Sequence, residues 1–373
     1  MTAISSNRYV NDVTVHVPDA LKDYFQNRFC AQGIPEQPGL MNEPYIAWWA
    51  DWVKKHREGE AFQRLRTCYP QLNFPVGEGI NKTQGYIDAV LKGKPSVTGS
   101  APLLDKPGTL KFSLHQSIAG NVPLLIVADD ADFVKLVQCF LHKNNPTPVS
   151  ASMGAMLANG INNWDRIRGL KAKWLLDNPA ETWNQEFSKN ILPNHGLYKD
   201  KLIILSTKPY SNVPADRLGL PEAEWATYSL SIRLEHECTH LYTLHRFGCA
   251  SNNLHDELIA DYIGISKTMG TYNEEWMLTF MGLEHYPTYR KGARLENYLG
   301  DAELTAELFG QLLTQIKKAI ESIAHFDAAL GTIHSAHDQM GRMDALCTTD
   351  LADIASVNGA SILLQKYDAI SAS

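Results

Sequence analysis

The chain has 373 residues, 44% hydrophobic and 20% charged, and carries a formal net charge of -7. Such a composition excludes extended disorder, and with no clustered run of Lys and Arg it offers nucleic acid no cationic face. No apolar stretch approaches a membrane span, since the best, "VPLLIVADDADF", meets two aspartates after seven apolar or Pro positions.

The opening segment, "MTAISSNRYVNDVTVHVPD", lacks the cationic head and apolar core of a secretory leader. Cys30, Cys68, Cys139, Cys238, Cys249 and Cys347 are scattered without a C-x-x-C pair. The expectation is a cytoplasmic chain with reduced thiols. Residues 1–95 read as a mainly helical region in which Trp48, Trp49 and Trp52 fall at helical spacing, as a core seam or, less simply, a ring-gripping patch. Residues 96–250 read as an α/β subdomain. It opens with the connector "SVTGSAPLLDKPG" and holds strand-like runs in "TLKFSLHQ", "NVPLLIVAD" and "DKLIILST". The polar passage 142–171 reads as a long loop around a short helix that covers a site. Within it Asn162, Asn163, Trp164, Asp165 and Arg166 are candidates either for substrate contact or for turns and caps.

"TYSLSIRLEHECTHLYTLHRFG" then predicts one helix of roughly five turns stopped by Gly248. It contains H-E-x-x-H. Residues four apart share a helix face, so His236 and His240 can point ring nitrogens at one ion, with Glu237 beside that ion as a base. Cys238 and His245 fall off that face, and Glu235 reads as a surface carboxylate. In the next segment Asn253 and Asp256 cap a second helix that Gly270 closes. Glu257 and Asp261 share one of its faces. Glu257 follows His240 by enough residues for the chain to turn and come back to the metal, and Asp261 can hold the spare N–H of a ligand imidazole. His255, two residues from Glu257, is turned to another side and reads as a surface histidine.

H-E-x-x-H followed by E-x-x-A-D, here His236, Glu237, His240, Glu257, Ala260 and Asp261, resembles the gluzincin, thermolysin-like branch of the zincin metallopeptidases. The resemblance spans about Ser229 to Gly270. It implies that Glu257 is the third zinc ligand, and it implies an α+β, zincin-like fold: a small mixed sheet, an active-site helix, then a mainly helical C-terminal lobe over residues 251–373. The metzincin alternative fails because Thr243 and Arg246 stand where Gly and His are required. Zincins commonly draw an oxyanion-stabilising side chain from beyond the third ligand. The segment "LEHYPTYRKGARLENYLG" offers His285, Tyr286, Tyr289, Arg290, Arg294 and Tyr298, with Tyr289 and Arg294 chosen for that role. His334 and His337, in the C-terminal helices, read as solvated.

The expected activity is zinc-assisted hydrolysis of a peptide or small amide, with His236, His240 and Glu257 as ligands, Glu237 as general base and Asp261 behind a histidine. No nucleic acid or membrane partner is expected, and oligomeric state is not legible. Two imidazoles and a carboxylate also describe an Fe2+ site, so a non-proteolytic modifying enzyme stays open, as does a non-catalytic metal-containing binding protein.

Overall fold

A computed structural model describes residues 18–29, 42–55, 59–95, 103–251, 253–300 and 304–372; Cys30, the opening segment 1–17 and part of the 96–108 connector lie outside them. The fold is α+β around a four-stranded mixed sheet of β1 (Lys111–Ser117), β2 (Gly120–Val127), β3 (Ala155–Asn162) and β4 (Lys199–Ser206), in the order β1-β2-β4-β3. β1 runs antiparallel to β2, β2 parallel to β4, and β3 antiparallel to β4. The two central strands are apolar on both faces because both faces are covered by helices. Val122, Leu124, Ile203 and Leu205 enter one core cluster, and Leu125, Val127, Leu202 and Ile204 enter the other.

The helices of two turns or more are α1 (Ile46–Lys54), α2 (Ala61–Cys68), α3 (Asp130–Phe140), α4 (Trp164–Asp177), α5 (Glu222–Phe247), α6 (Leu254–Met269), α7 (Glu274–Met281), α8 (Ala306–Leu330), α9 (Ala336–Cys347) and α10 (Gly359–Ser371). The cluster on one sheet face joins α1, α2 and α3 to the strands. The cluster on the other joins the strands to α5, α6 and the C-terminal helices. Segments 1–95, 96–250 and 251–373 therefore share two cores, and neither core stays within one segment. Among the described residues no helix is long and apolar enough to cross a membrane.

The tryptophan seam packs as its spacing predicts. Trp49 is fully buried, edge-on to Trp48 and Trp52 and stacked on Phe112 of β1 at 4.8 Å. Its indole Nε1 also donates to Asp200 Oδ2 at 3.2 Å. That carboxylate is a junction: Tyr69 Oη donates to it at 2.7 Å, Asn163 Nδ2 at 2.8 Å, and Arg166 Nη2 lies 2.8 Å from its other oxygen. Asn163 also caps α4, accepting from Arg166 N, and Trp164 Nε1 donates to Val90 O. Asn163, Trp164 and Arg166 are thus structural.

The passage 142–171 is not the long loop its composition predicts. It contains β3 and the first half of α4. β3 is cryptic because "AMLANGIN" buries only Met156 and Ala158, and its register shifts between Asn159 and Ile161, where Gly160 sits at a φ of 75°. Pairing with β4, not local pattern, makes it a strand. Removing the Asp200 carboxylate leaves Arg166 charged and unpaired in the interior, so Asp200→Ala is expected to lower unfolding free energy by about 3–5 kcal/mol in denaturant titration.

Candidate metal centre

The centre is built on two helices that cross closely. α5 ends at Gly248, left-handed at a φ of 69°, and α6 begins at Asn253, whose side chain accepts from Asp256 N at 2.9 Å. The crossing is tight at Gly264, where a Cβ would lie 2.8 Å from the main-chain oxygen of Ile232 on α5. Gly264 is two turns after Glu257 on the same helix face. Its missing side chain lets α6 approach near enough for the Glu257 carboxylate to reach the α5 histidines.

The donor atoms converge. His236 Nε2 and His240 Nε2 are 3.0 Å apart, Glu257 Oε2 is 3.5 Å from the first and Glu257 Oε1 is 3.6 Å from the second. Three ligands bound at about 2.0–2.1 Å at the tetrahedral angle are separated by about 3.3 Å, and one donor atom from each of these residues lies within 4.8 Å of the others, so the group could close on one ion. Tautomers support the same reading. His236 Nδ1 faces Asp261 Oδ1 at 2.9 Å and Tyr210 Oη at 3.0 Å, while His240 Nδ1 faces Asp256 Oδ1 at 3.3 Å. With the Nδ1 protons turned to carboxylates, both Nε2 lone pairs and a carboxylate point at one spot, an arrangement that a cation satisfies.

Charges in the cluster are strongly coupled. Burial and the neighbouring His240 lower His236 to about 4. Burial opposes the charge on Glu257, but the two imidazoles hold it down at about 2. Burial also acts against a charged His240, and the carboxylates of Asp256 and Glu257 outweigh it and raise that imidazole well above its usual range. Glu237 goes the other way: burial first, then the Glu257 charge, push its carboxyl up against the pull of the imidazoles.

A cavity of about 570 Å³ opens onto the cluster. Its walls include residues of the 150–159 stretch with the first half of β3, the α5 face from Arg233 to Leu244, the Tyr210–Ser211 turn, Glu257, and Arg294, Asn297 and Tyr298. Glu237 lines it, and among the described residues its carboxylate takes no side-chain hydrogen bond.

Of the predicted site residues, His236, Glu237, His240, Glu257, Asp261 and Arg294 come together. Tyr289 does not: its Oη donates to Ala293 O at 3.3 Å and its ring packs edge-on to Phe309. Tyr298 stands in the site instead, its Oη donating to Glu257 Oε2 at 2.8 Å. Arg294 lines the cavity but is occupied in an ion pair with Asp261 and donates from Nη1 to Tyr210 Oη at 3.0 Å, so it holds the support of His236. His285, Tyr286 and Arg290 are not among the cavity walls.

His255 is not a surface group but fully buried, against Leu346 O at 3.0 Å and the Phe29 ring. Glu235 is only partly exposed. His245 is no ligand; its Nε2 lies 2.8 Å from Glu43, which also pairs with Lys201. Cys238 is buried away from the cavity, Cys68, Cys139, Cys249 and Cys347 are likewise unbridged, and His334 and His337 are exposed. Two supporting residues escape sequence reasoning. Asp256 reads only as a cap residue, although its place one residue before Glu257 is the available hint. Tyr210 carries no signal, since it arrives from a turn after β4.

Residues 10–358 match the model of a family described as "Family of unknown function (DUF7005)". No curated protein and no solved structure matches the chain.

Filling the helix crossing pushes α6 away from α5, so Gly264→Val is expected to destabilise by at least about 2 kcal/mol in denaturant unfolding. A second expectation concerns pH. Burial works against the Glu43 charge, but hydrogen bonds from His245 and Lys201 hold its carboxyl down at about 2. A carboxyl lower in the folded than in the unfolded chain contributes stability above its unfolded value near 4.5, and that contribution disappears as pH falls toward about 2. Thermal unfolding between pH 5 and 2 is therefore expected to be less steep in Glu43→Gln than in wild type.

Proposed function

The chain belongs to the DUF7005 family of unknown function, and we propose from its site that it is a zinc-dependent hydrolase of the gluzincin type that cleaves a peptide or amide bond. The observation that carries the reading is the triangle of His236, His240 and Glu257 donor atoms, with the Glu237 carboxylate buried beside it on the cavity wall. The group of three has the composition and spacing of a metal site. When bound, zinc supplies a Lewis acid that polarises a carbonyl and makes water acidic enough to attack near neutral pH.

The chain's own groups would do the rest. Glu237, whose carboxyl burial raises, takes a proton from the attacking water and returns it to the leaving amine. Asp261 with Tyr210, and Asp256, hold the two imidazoles in the tautomer that frees Nε2. Tyr298, rather than Tyr289, has its hydroxyl in the site, where its one proton goes to Glu257 Oε2 and would have to leave that bond to serve a carbonyl oxygen that gains charge. Edge strand β3 runs along the cavity with one side unpaired by the sheet, and an extended substrate can align there by strand addition. A zincin-like arrangement and a cytoplasmic setting belong to the same proposal. The iron alternative uses the same ligands, but Glu237 beside an open face favours proton transfer to and from water.

The test is elemental analysis of untagged protein prepared without added metal, joined to an assay on peptides and acyl amides. Wild type is expected to hold about one zinc per chain, with His240→Ala and Glu257→Ala losing it. Glu237→Gln keeps the zinc and loses about 10²–10⁴-fold in hydrolysis. Stoichiometric iron with oxygen-dependent turnover would replace the hydrolytic reading, and a folded wild type without metal would remove it.

A further inference from the structure

We propose that Arg233 forms a carboxylate-binding subsite in the wall of the cavity, so that the substrate is an amide bearing a free carboxylate one or two residues from the scissile bond. This deepens the hydrolase reading and rests on it.

The starting observation is an imbalance among the deeply buried arginines. Arg166 pairs with Asp200, Arg246 with Asp344, Arg294 with Asp261 and Arg342 with Asp327. Arg233 is 2% exposed and has no carboxylate within ion-pair distance among the described residues. Its guanidinium donates only to main-chain oxygens, Ser206 O at 2.9 Å, Lys208 O at 2.8 Å and Pro209 O at 3.2 Å. Carbonyl dipoles solvate a cation without neutralising it, and burial lowers this guanidinium to about 10. Lys208 adds to the imbalance. Its Nζ donates to Ala151 O at 2.7 Å and lies over the Phe133 ring, and Asp130 acts on it only from beyond ion-pair distance. Glu237 and Asp130 influence Arg233 only from beyond ion-pair distance.

The surroundings suit an anion. Gly154 of the wall packs on the guanidinium so closely that a Cβ would lie 2.6 Å from Nε and Nη2. Ser211 lines the same cavity, is 6% exposed, and its Oγ has no hydrogen-bond partner. Its backbone is left-handed, φ 52°, as is that of Asn212 at 55°, a conformation that non-glycine residues rarely adopt and that recurs at binding sites. Arg233 and Glu237 are one helical turn apart, about 6 Å along the axis. That span fits a scissile carbonyl and a carboxylate one or two residues further along a peptide. Ser206 O takes one of the two Nη1 N–H groups, which leaves the other for a single charge-assisted hydrogen bond to a carboxylate oxygen. The cavity volume of about 570 Å³ suits a small ligand.

The test compares two hydroxamates of matched length by calorimetry on zinc-loaded full-length protein, one ending in a carboxylate and the other in the carboxamide. The carboxylate probe is expected to bind wild type about tenfold tighter or more. That preference should vanish in Arg233→Gln. It should weaken in Arg233→Lys, which keeps the charge but not the planar fork, and in Ser211→Gly, which removes the left-handed strain and so keeps or raises the melting temperature. Should Arg233→Gln fail to fold, the lysine and glycine variants decide. Equal binding of both probes by wild type overturns the subsite and leaves the metal centre standing, because a hydroxamate binds through the ion. A carboxylate preference that survives in a folded Arg233→Gln, or no binding of either probe to protein shown to contain zinc, also overturns it. Loss of both binding and zinc overturns the hydrolase reading itself.

Discussion

Two imidazoles and a carboxylate converge in the interior, where a cation or a proton must join them, and much of the fold serves to hold them there. Each is fixed by a partner behind it: Asp261 and Tyr210 for His236, Asp256 for His240, Tyr298 for Glu257. Arg294 in turn neutralises Asp261 and donates to Tyr210, so the supports are themselves supported. In a low-dielectric site such a chain works only when every member is paired, because an isolated buried charge is far more unfavourable than a paired one.

Backbone geometry is subordinate to the same demand. Gly264 permits the α5–α6 approach that brings Glu257 to the histidines. Arg233 gathers the carbonyls of Ser206, Lys208 and Pro209 and so anchors the end of β4 to α5. Ser229 of α5 then accepts from Tyr210 N at 3.0 Å and fixes the next turn. That turn passes through two left-handed non-glycine residues, Ser211 and Asn212, to deliver Tyr210 beneath His236. The left-handed Ser211, with an unpartnered Oγ, lies in the cavity wall, and in the α8–α9 region Arg342 pairs with Asp327 and Asp338.

Much of the centre was readable in order along the chain. Four-residue spacing put His236 and His240 on one face, and Gly248, Asn253 and Gly270 marked helix ends that the structure keeps. Apolar runs located β1, β2 and β4 to within two residues. β3 was hidden, because a strand with two buried positions and a glycine bulge looks like a polar loop until β4 pairs with it. The choice between Tyr289 and Tyr298 was equally closed to pattern. Both lie after Glu257, and only the path of the irregular 283–300 segment turns one to Phe309 and the other to Glu257.

The sequence by itself determined what depends on local periodicity: which side chains share a helix face, where helices stop, and which strands are buried on both sides. Those properties follow from the dihedral preferences and hydrophobic pattern of neighbouring residues. Tertiary structure alone decided how closely α6 crosses α5, that Asp256 turns to His240 as well as capping a helix, that Tyr210 reaches His236 from β4, and that Arg233 lies buried without an acid. Each is a distance between segments remote in sequence, set by how side chains interlock across an interface that no single segment encodes.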